Sequence, residues 1–191
     1  MNEVPDPKVE LIAAIPRLRA FAFSLCRNAD RADDLVQQTL VKAWANMKSF
    51  EPGSNIAAWL YTILRNEFYS EFRKLRHEVA DTDGMFAARL ASYPTQDSHM
   101  DFQDFRTALF KLADDHREAL MLIGASGLSY EDAAQLCGCA VGTMKSRVHR
   151  ARAKLAELLT LGSADHIGPD KKWQAAVEVT GSAVRTALTD S

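Results

Sequence analysis

No stretch of the chain approaches the roughly 20 consecutive apolar residues needed to cross a bilayer, so nothing in it reads as a membrane span. The N-terminus, Met1-Asn2-Glu3-Val4-Pro5-Asp6, lacks the basic-then-apolar order of a signal peptide, and the expected compartment is the cytoplasm. Cysteine is scarce: Cys26, Cys137 and Cys139 are an odd number in a chain without an export signal, which argues against a disulfide framework. The Cys137-Gly138-Cys139 spacing has no second cysteine pair or nearby histidine pair to complete four ligands. No metal is expected there, and the two thiols read as small buried residues on each side of a turn. There is no Ser/His/Asp set, phosphate loop or paired-carboxylate site, so neither an enzyme nor a cofactor is expected. Strand signals are nearly absent, with no sustained alternation and no Asn-Gly or Asp-Gly hairpin. An excess of positive charge is missing too. At a formal net charge of -2, any DNA role must rest on local basic patches or on a larger complex, because phosphate neutralisation dominates tight binding.

What is present is helical periodicity. The expected fold is all-α: two small helical domains, 8–78 and 101–160, joined by a flexible linker over 79–100. The linker holds Asp81, Asp83, Gly84, Pro94, Asp97 and Ser98, with a short helix expected around Met85 to Leu90. Beyond Leu161 come Gly162, Ser163, Gly168 and Pro169, then a small-residue tail, 161–191, in which Trp173, Val177, Val184 and Leu188 hint at a weak helix.

In the first block Pro16 is expected at the start of a helix, with Leu18, Phe21, Ala22 and Leu25 inward and Asn28 closing it. Asp30 suits the N-cap of a second helix whose Val36, Leu40, Ala43, Trp44 and Met47 recur on one buried face. Its other face carries Asp33, Asp34, Gln37, Gln38 and Lys42, which from pattern alone is a solvated face with acids favourably placed at a helix N-terminus. After Pro52 and Gly53 a third helix, about Ile56 to Arg76, packs through Ile56, Leu60, Ile63 and Leu64, with Phe68 and Phe72 extending the apolar side. Thr62, Asn66, Tyr69, Arg73 and Arg76 share a stripe along it, with Trp59, Arg65 and Lys74 nearby. Cations and aromatics so arranged can hold phosphates and stack on bases. A helix that buries its rings and leaves its arginines in water fits the same pattern.

In the second block Phe102, Phe105, Leu109 and Leu112 mark one helix, and Ala119, Leu120, Leu122 and Ile123 another, ended by Gly124 and Gly127. Ser129 with Asp132 is a capping-box pattern that opens a short helix, and Gly138 fits its C-terminal cap. A long helix follows, with Val141, Met144, Val148, Ala151, Leu155 and Leu158 inward. Short helix, glycine turn and long helix in that order form a helix-turn-helix. Thr143, Lys145, Ser146, Arg147, His149 and Arg150 lie on the outward arc of its first turns, where a recognition helix meets base edges in the major groove.

Three residue strings carry a closer resemblance. Asp30-Arg31-Ala32-Asp33-Asp34-Leu35-Val36-Gln37-Gln38-Thr39-Leu40, Ala58-Trp59-Leu60-Tyr61-Thr62-Ile63-Leu64-Arg65-Asn66 and Gly142-Thr143-Met144-Lys145-Ser146-Arg147-Val148-His149-Arg150-Ala151-Arg152 resemble regions two and four of extracytoplasmic-function sigma factors, over about Ile12 to Leu159. The run from Gly124 to Ala134, with Cys137 to Thr143 after it, is similar to the general-stress-response branch of alphaproteobacteria. The resemblance implies partnership with core RNA polymerase, promoter DNA and a small anti-sigma factor of the NepR type, from which a response regulator of the PhyR type releases the sigma factor. It implies that Asp33, Asp34, Gln37, Gln38 and Lys42 dock on the coiled coil of the polymerase β′ subunit. Ser54, Asn55, Trp59, Asn66, Tyr69 and Arg73 would capture and help melt the minus-ten element, and a flipped base there would need a pocket. Thr143, Lys145, Ser146, Arg147, His149 and Arg150 would read the minus-thirty-five element as duplex. Two other readings fit parts of the pattern: a sigma-like mimic that binds only an anti-sigma factor, and a homodimeric helix-turn-helix regulator.

Overall fold

The computed structural model describes residues 7–51, 53–80 and 100–159, the side chains of 75–80 and 100–103 excepted. The linker helix expected at Met85 to Leu90, the tail helix and the side chains of Arg76 and Phe102 therefore lie outside the described residues. The described elements are all helical and fall into two compact units, Met1–Thr95 and Gln96–Ser191.

The first unit is three helices, α1 (Pro7–Cys26), α2 (Ala29–Ala45) and α3 (Ile56–Ala80), each packed on the other two. Leu18, Phe21 and Ala22 of α1, Leu35, Val36 and Ala43 of α2, and Leu60, Tyr61 and Leu64 of α3 form the core. Phe21 and Tyr61 meet edge to face with centroids 5.2 Å apart, a favourable arrangement for two ring quadrupoles. Thr39 is buried among them at no cost in unmet polarity, because its hydroxyl donates to Leu35 O at 2.7 Å.

Three features of this unit differ from what its sequence implies. Pro16 lies inside α1 rather than at its start. A proline there forfeits one helical hydrogen bond, but Leu11, buried one turn earlier, is held against the bundle, and tertiary packing overrides propensity. The N-cap of α2 is Asn28, whose side chain accepts from Arg31 N at 2.9 Å, and Asp30 falls within the first turn. Trp44 and Phe72 are not core: they are 59% and 53% exposed. The inward arc of α2 is rotated toward Ala32, Leu35 and Thr39, which leaves Trp44 outside with Lys8 Nζ 5.3 Å from its ring. Phe72 lies on the outward side of α3 and stacks on Phe68 of its own helix.

Burial pushes the Cys26 thiol up to about 11, against a smaller opposing effect of Arg31 and a smaller reinforcing one of Glu71. The folded state thus holds this proton more tightly than the unfolded chain, whose thiol titrates near its ordinary value of about 8.5. The stabilisation is complete below that ordinary value and is lost as pH rises through the folded one. Thermal unfolding across this range, compared between the native chain and Cys26→Ala, is expected to show the native chain losing stability more steeply with pH. Parallel curves would contradict the assignment.

The second unit contains α4 (Met100–Phe110), α5 (Asp114–Leu120), α6 (Tyr130–Cys137) and α7 (Val141–Leu158). Helix α5 does not stop at Gly124. It continues as a π-helical turn, Met121–Ala125, in which Ser126 N–H reaches back to Met121 O at 2.9 Å, and Gly124 is buried. The run Leu120, Met121, Leu122 and Ile123 is buried on every side, and widening the helix by one residue per turn lets consecutive apolar side chains all face neighbours. Arg117, 3% exposed, donates to Leu112 O at 3.2 Å and to Asp114 Oδ1 at 2.6 Å, which fixes the turn between α4 and α5.

The cap and the turn of the helix-turn-helix are as the sequence implies. Ser129 Oγ accepts from Asp132 N at 3.0 Å, and Gly138 is left-handed at φ 65 and ψ 37. Cys139 N–H bonds Ala134 O at 3.0 Å and Gly138 N–H bonds Gln135 O at 3.1 Å, closing α6. Nothing lies within 4 Å of a Cβ placed on Gly138. Gly138→Ala is therefore expected to cost about 1 kcal/mol through backbone strain alone, read as a lower urea midpoint at constant slope. A neutral result would mean the turn relaxes freely.

Candidate polymerase and promoter-DNA interfaces

The polar face of α2 divides in two. Asp34, Gln37 and Gln38 are exposed and follow helical spacing, with exposed Val41 continuing the line. Asp33, although partly exposed, is tied down: Arg19 Nε donates to its Oδ1 at 2.7 Å and Arg19 Nη2 to its Oδ2 at 2.5 Å, a bidentate pair linking α1 to α2. Lys42 Nζ pairs with Glu67 Oε2 at 2.5 Å, tying α2 to α3. The ends of the expected docking face thus pair with neighbouring helices while still partly exposed, and its middle makes no ion pair of this kind among the described residues. Sequence reasoning missed Arg19 and Glu67, because each partner lies on another helix at no fixed spacing.

The loop before α3 is organised by its own side chains. Ser54 Oγ donates to Glu51 O at 2.7 Å, Gly53 turns the chain at φ 89, and Asn55 Oδ1 accepts from Ala58 N at 3.2 Å to cap α3. Along the helix Trp59 is half-buried against Phe50, with centroids 5.3 Å apart. Asn66 and Arg73 are exposed, and half-buried Tyr69 lies under the Arg65 guanidinium, 4.7 Å from the ring centroid. A cation above a ring beside an exposed amide and a second cation makes a surface for stacking and phosphate contact. Arg65 enters it through that contact, although the sequence placed it only nearby.

Helix α7 keeps Met144, Val148, Ala151 and Leu155 fully inward, which forces the opposite arc outward. Thr143, Lys145, His149 and Arg150 are exposed there, and Ser146 and Arg147 are half-buried. Lys145 Nζ stands 5.7 Å from the ring centroid of Tyr130 on α6, so the two helices of the motif share a cation–π contact. Arg147 Nε pairs with Asp115 Oδ2 at 3.3 Å, anchoring α7 to the start of α5. The cysteines beside Gly138 differ from expectation: Cys137 and Cys139 are half-exposed rather than buried, because the turn that carries them faces outward. Among the described residues no group of His, Cys, Asp and Glu side chains could hold a metal ion, and no helix is long and apolar enough to cross a membrane.

Residues 11–78 match the family Sigma-70 region 2, and residues 102–155 match Sigma-70, region 4. The chain is similar to the ECF RNA polymerase sigma factor EcfG of Rhodopseudomonas palustris (strain TIE-1), 59% identical over 90% of this chain and 95% of that protein. Among solved structures it is similar to the sigma factor RpoE in complex with the anti-sigma factor NepR from Bartonella quintana. That match has 59% identity and a TM-score of 0.72, and covers 82% of this chain and 98% of the other. It is also similar to CnrH in complex with the cytosolic domain of CnrY, with 29% identity and a TM-score of 0.57 over 82% and 89% of the two chains. With two regions matched in order and close identity across most of its length, the chain belongs to the extracytoplasmic-function branch of the RNA polymerase sigma factors.

Proposed function

We propose that the chain selects promoters for RNA polymerase, binding the core enzyme and directing initiation, and that it acts in the cytoplasm. It is an initiation factor and not an enzyme. Residues 8–78 form the domain for the core enzyme and the minus-ten element, 79–100 link it to the next, and 101–160 form the domain for the minus-thirty-five element. The observation that carries this reading is the pairing, in one chain, of an exposed amide-and-acid face on α2 with two separate basic surfaces on α3 and α7.

Asp34, Gln37 and Gln38 meet the β′ coiled coil, while Asp33 and Lys42 hold α2 in the orientation that presents them. Asn66, Tyr69 and Arg73, with Trp59 and the Ser54–Asn55 loop beside them, take the unpaired minus-ten strand. Stacking on such rings is worth about 1–3 kcal/mol per base, enough to offset the few kcal/mol that unstacking one base requires. Lys145, Arg150, His149 and Thr143 read the minus-thirty-five duplex, with Ser146 and Arg147 at the edge of that arc. Core polymerase supplies most of the non-specific DNA affinity, which fits a net charge of -2 on this subunit. The structural relative from Bartonella quintana is in complex with NepR, and a small anti-sigma protein of that type is the proposed regulator here, with general stress-response genes as the regulon.

The test is a stoichiometric complex between purified protein and core polymerase, followed by size exclusion and fluorescence. Stable binding is the expected result. Failure to bind core, in a preparation free of inhibitor, would favour a mimic or a self-contained DNA-binding regulator.

A further inference from the structure

Neither polymerase docking nor promoter reading uses the Cys137-Gly138-Cys139 turn, and its thiols differ from Cys26 in exposure. Cys26 is buried in the three-helix unit, whereas Cys137 and Cys139 are half-exposed. The separation of two Cα atoms flanking one residue depends only on that residue's φ and ψ when the peptides are trans, as they are here. At Gly138, φ 65 and ψ 37 are the mirror image of helical values, and either hand brings the flanking Cα atoms to about 5.5 Å, inside the window that disulfides occupy. No side chain on the glycine stands between them.

We propose that Cys137 and Cys139 form a reversible disulfide that acts as an oxidation-sensitive latch on the helix-turn-helix. With hydrogen peroxide as oxidant, one thiolate attacks the peroxide to give a sulfenic acid and water. The second thiol then displaces hydroxide from that sulfur, releasing a second water, so two thiols and one peroxide give one disulfide and two waters. A dithiol reductant reverses the step by exchange. A ring with a single residue between its cysteines leaves the Cβ–S–S–Cβ torsion little freedom to reach its preferred value, so the turn yields to close it. The bonds at stake are Cys139 N–H to Ala134 O and Gly138 N–H to Gln135 O, which set the exit from α6 into α7. Loosening them re-aims Lys145 and Arg150, and the oxidised protein reads the minus-thirty-five duplex less well.

The effect on transcription rests on the function proposed above, whereas the chemistry does not. The full chain is treated with hydrogen peroxide, freed of oxidant and split for two readouts. Peptide mass mapping is expected to find Cys137 and Cys139 in one peptide lighter by two hydrogens, with Cys26 still reduced, and dithiothreitol is expected to restore the thiols. Promoter-dependent transcription with untreated core polymerase is expected to fall about tenfold, the loss of roughly one base contact, and to recover on reduction. Cys137→Ser and Cys139→Ser, each active when reduced, are expected to be insensitive to that treatment. An intermolecular disulfide, a sulfinic acid in place of the bond, or a bonded protein of undiminished activity would each overturn the proposal. Inactivity of the reduced chain would instead count against the sigma-factor reading, with the mass result standing by itself.

Discussion

Replacing Lys145 and Arg150 together by alanine is expected to weaken recognition of the minus-thirty-five element by about a hundredfold, because each well-placed contact to a base or phosphate contributes roughly 1–3 kcal/mol. Both side chains are exposed on the outward arc of α7, and neither is in the core formed by Met144, Val148 and Leu155, so the fold should survive the change. Binding of the holoenzyme to promoter fragments measures the effect. Two lost cations should also flatten the salt dependence of that binding, by a slope of about one for each that touches a phosphate. Affinity for core polymerase should not change, since the proposed core-binding face lies on α2. A variant that loses core binding while its helical content is unchanged would contradict the division of labour between the two units.

Leu64→Ala is expected to destabilise the three-helix unit by about 2–5 kcal/mol, the range for deleting a fully enclosed leucine and leaving a cavity. Leu64 is wholly buried between α1, α2 and α3, and a small domain has only a few kcal/mol to lose. Denaturant unfolding followed by circular dichroism, with core binding measured alongside, should show both falling together. Phe72→Ala supplies the contrast. It removes a larger side chain from an exposed position on α3, so its cost should be within about 0.5 kcal/mol. Equal effects of the two variants would mean that α3 packs through a different face.

The features legible in the sequence are those with local causes. Ser129 caps α6 through its own backbone neighbour and Gly138 ends it by left-handed geometry, so the helix-turn-helix could be placed before any tertiary contact was known. The inward face of α7 follows from its spacing for the same reason. Features that depend on distant residues were not legible. Asp33 and Lys42 look like free surface charges until Arg19 and Glu67 arrive from neighbouring helices, and Arg147 looks like an unhindered base reader until Asp115 of α5 pairs with it. Trp44 reads as core because tryptophan usually is, yet α2 turns Thr39 inward in its place, a polar residue whose hydroxyl is satisfied by its own helix. The π-helical turn at Gly124 escaped for a related reason: four consecutive apolar residues have no helical period, and only a surrounding core makes them all inward.

Resemblance fills the gap between a basic helix and a promoter, because helical spacing alone left α3 and the polar face of α2 open to ordinary solvated readings. Geometry then sorts those residues by task. Asp34, Gln37 and Gln38 are available to a partner, while Asp33 organises the helix that carries them. Core-binding measurements with Gln37 and Gln38 replaced, set beside an Arg19 variant, would separate direct contact from support.

Promoter selection is the central claim, and it is tested most directly by transcription from a panel of promoter fragments with purified core polymerase, with and without this protein. Initiation at a defined start site on a subset of fragments, present only when the protein is added, is the expected result. Transcripts that are identical in its presence and absence, from a protein shown to be folded and free of inhibitor, would contradict it.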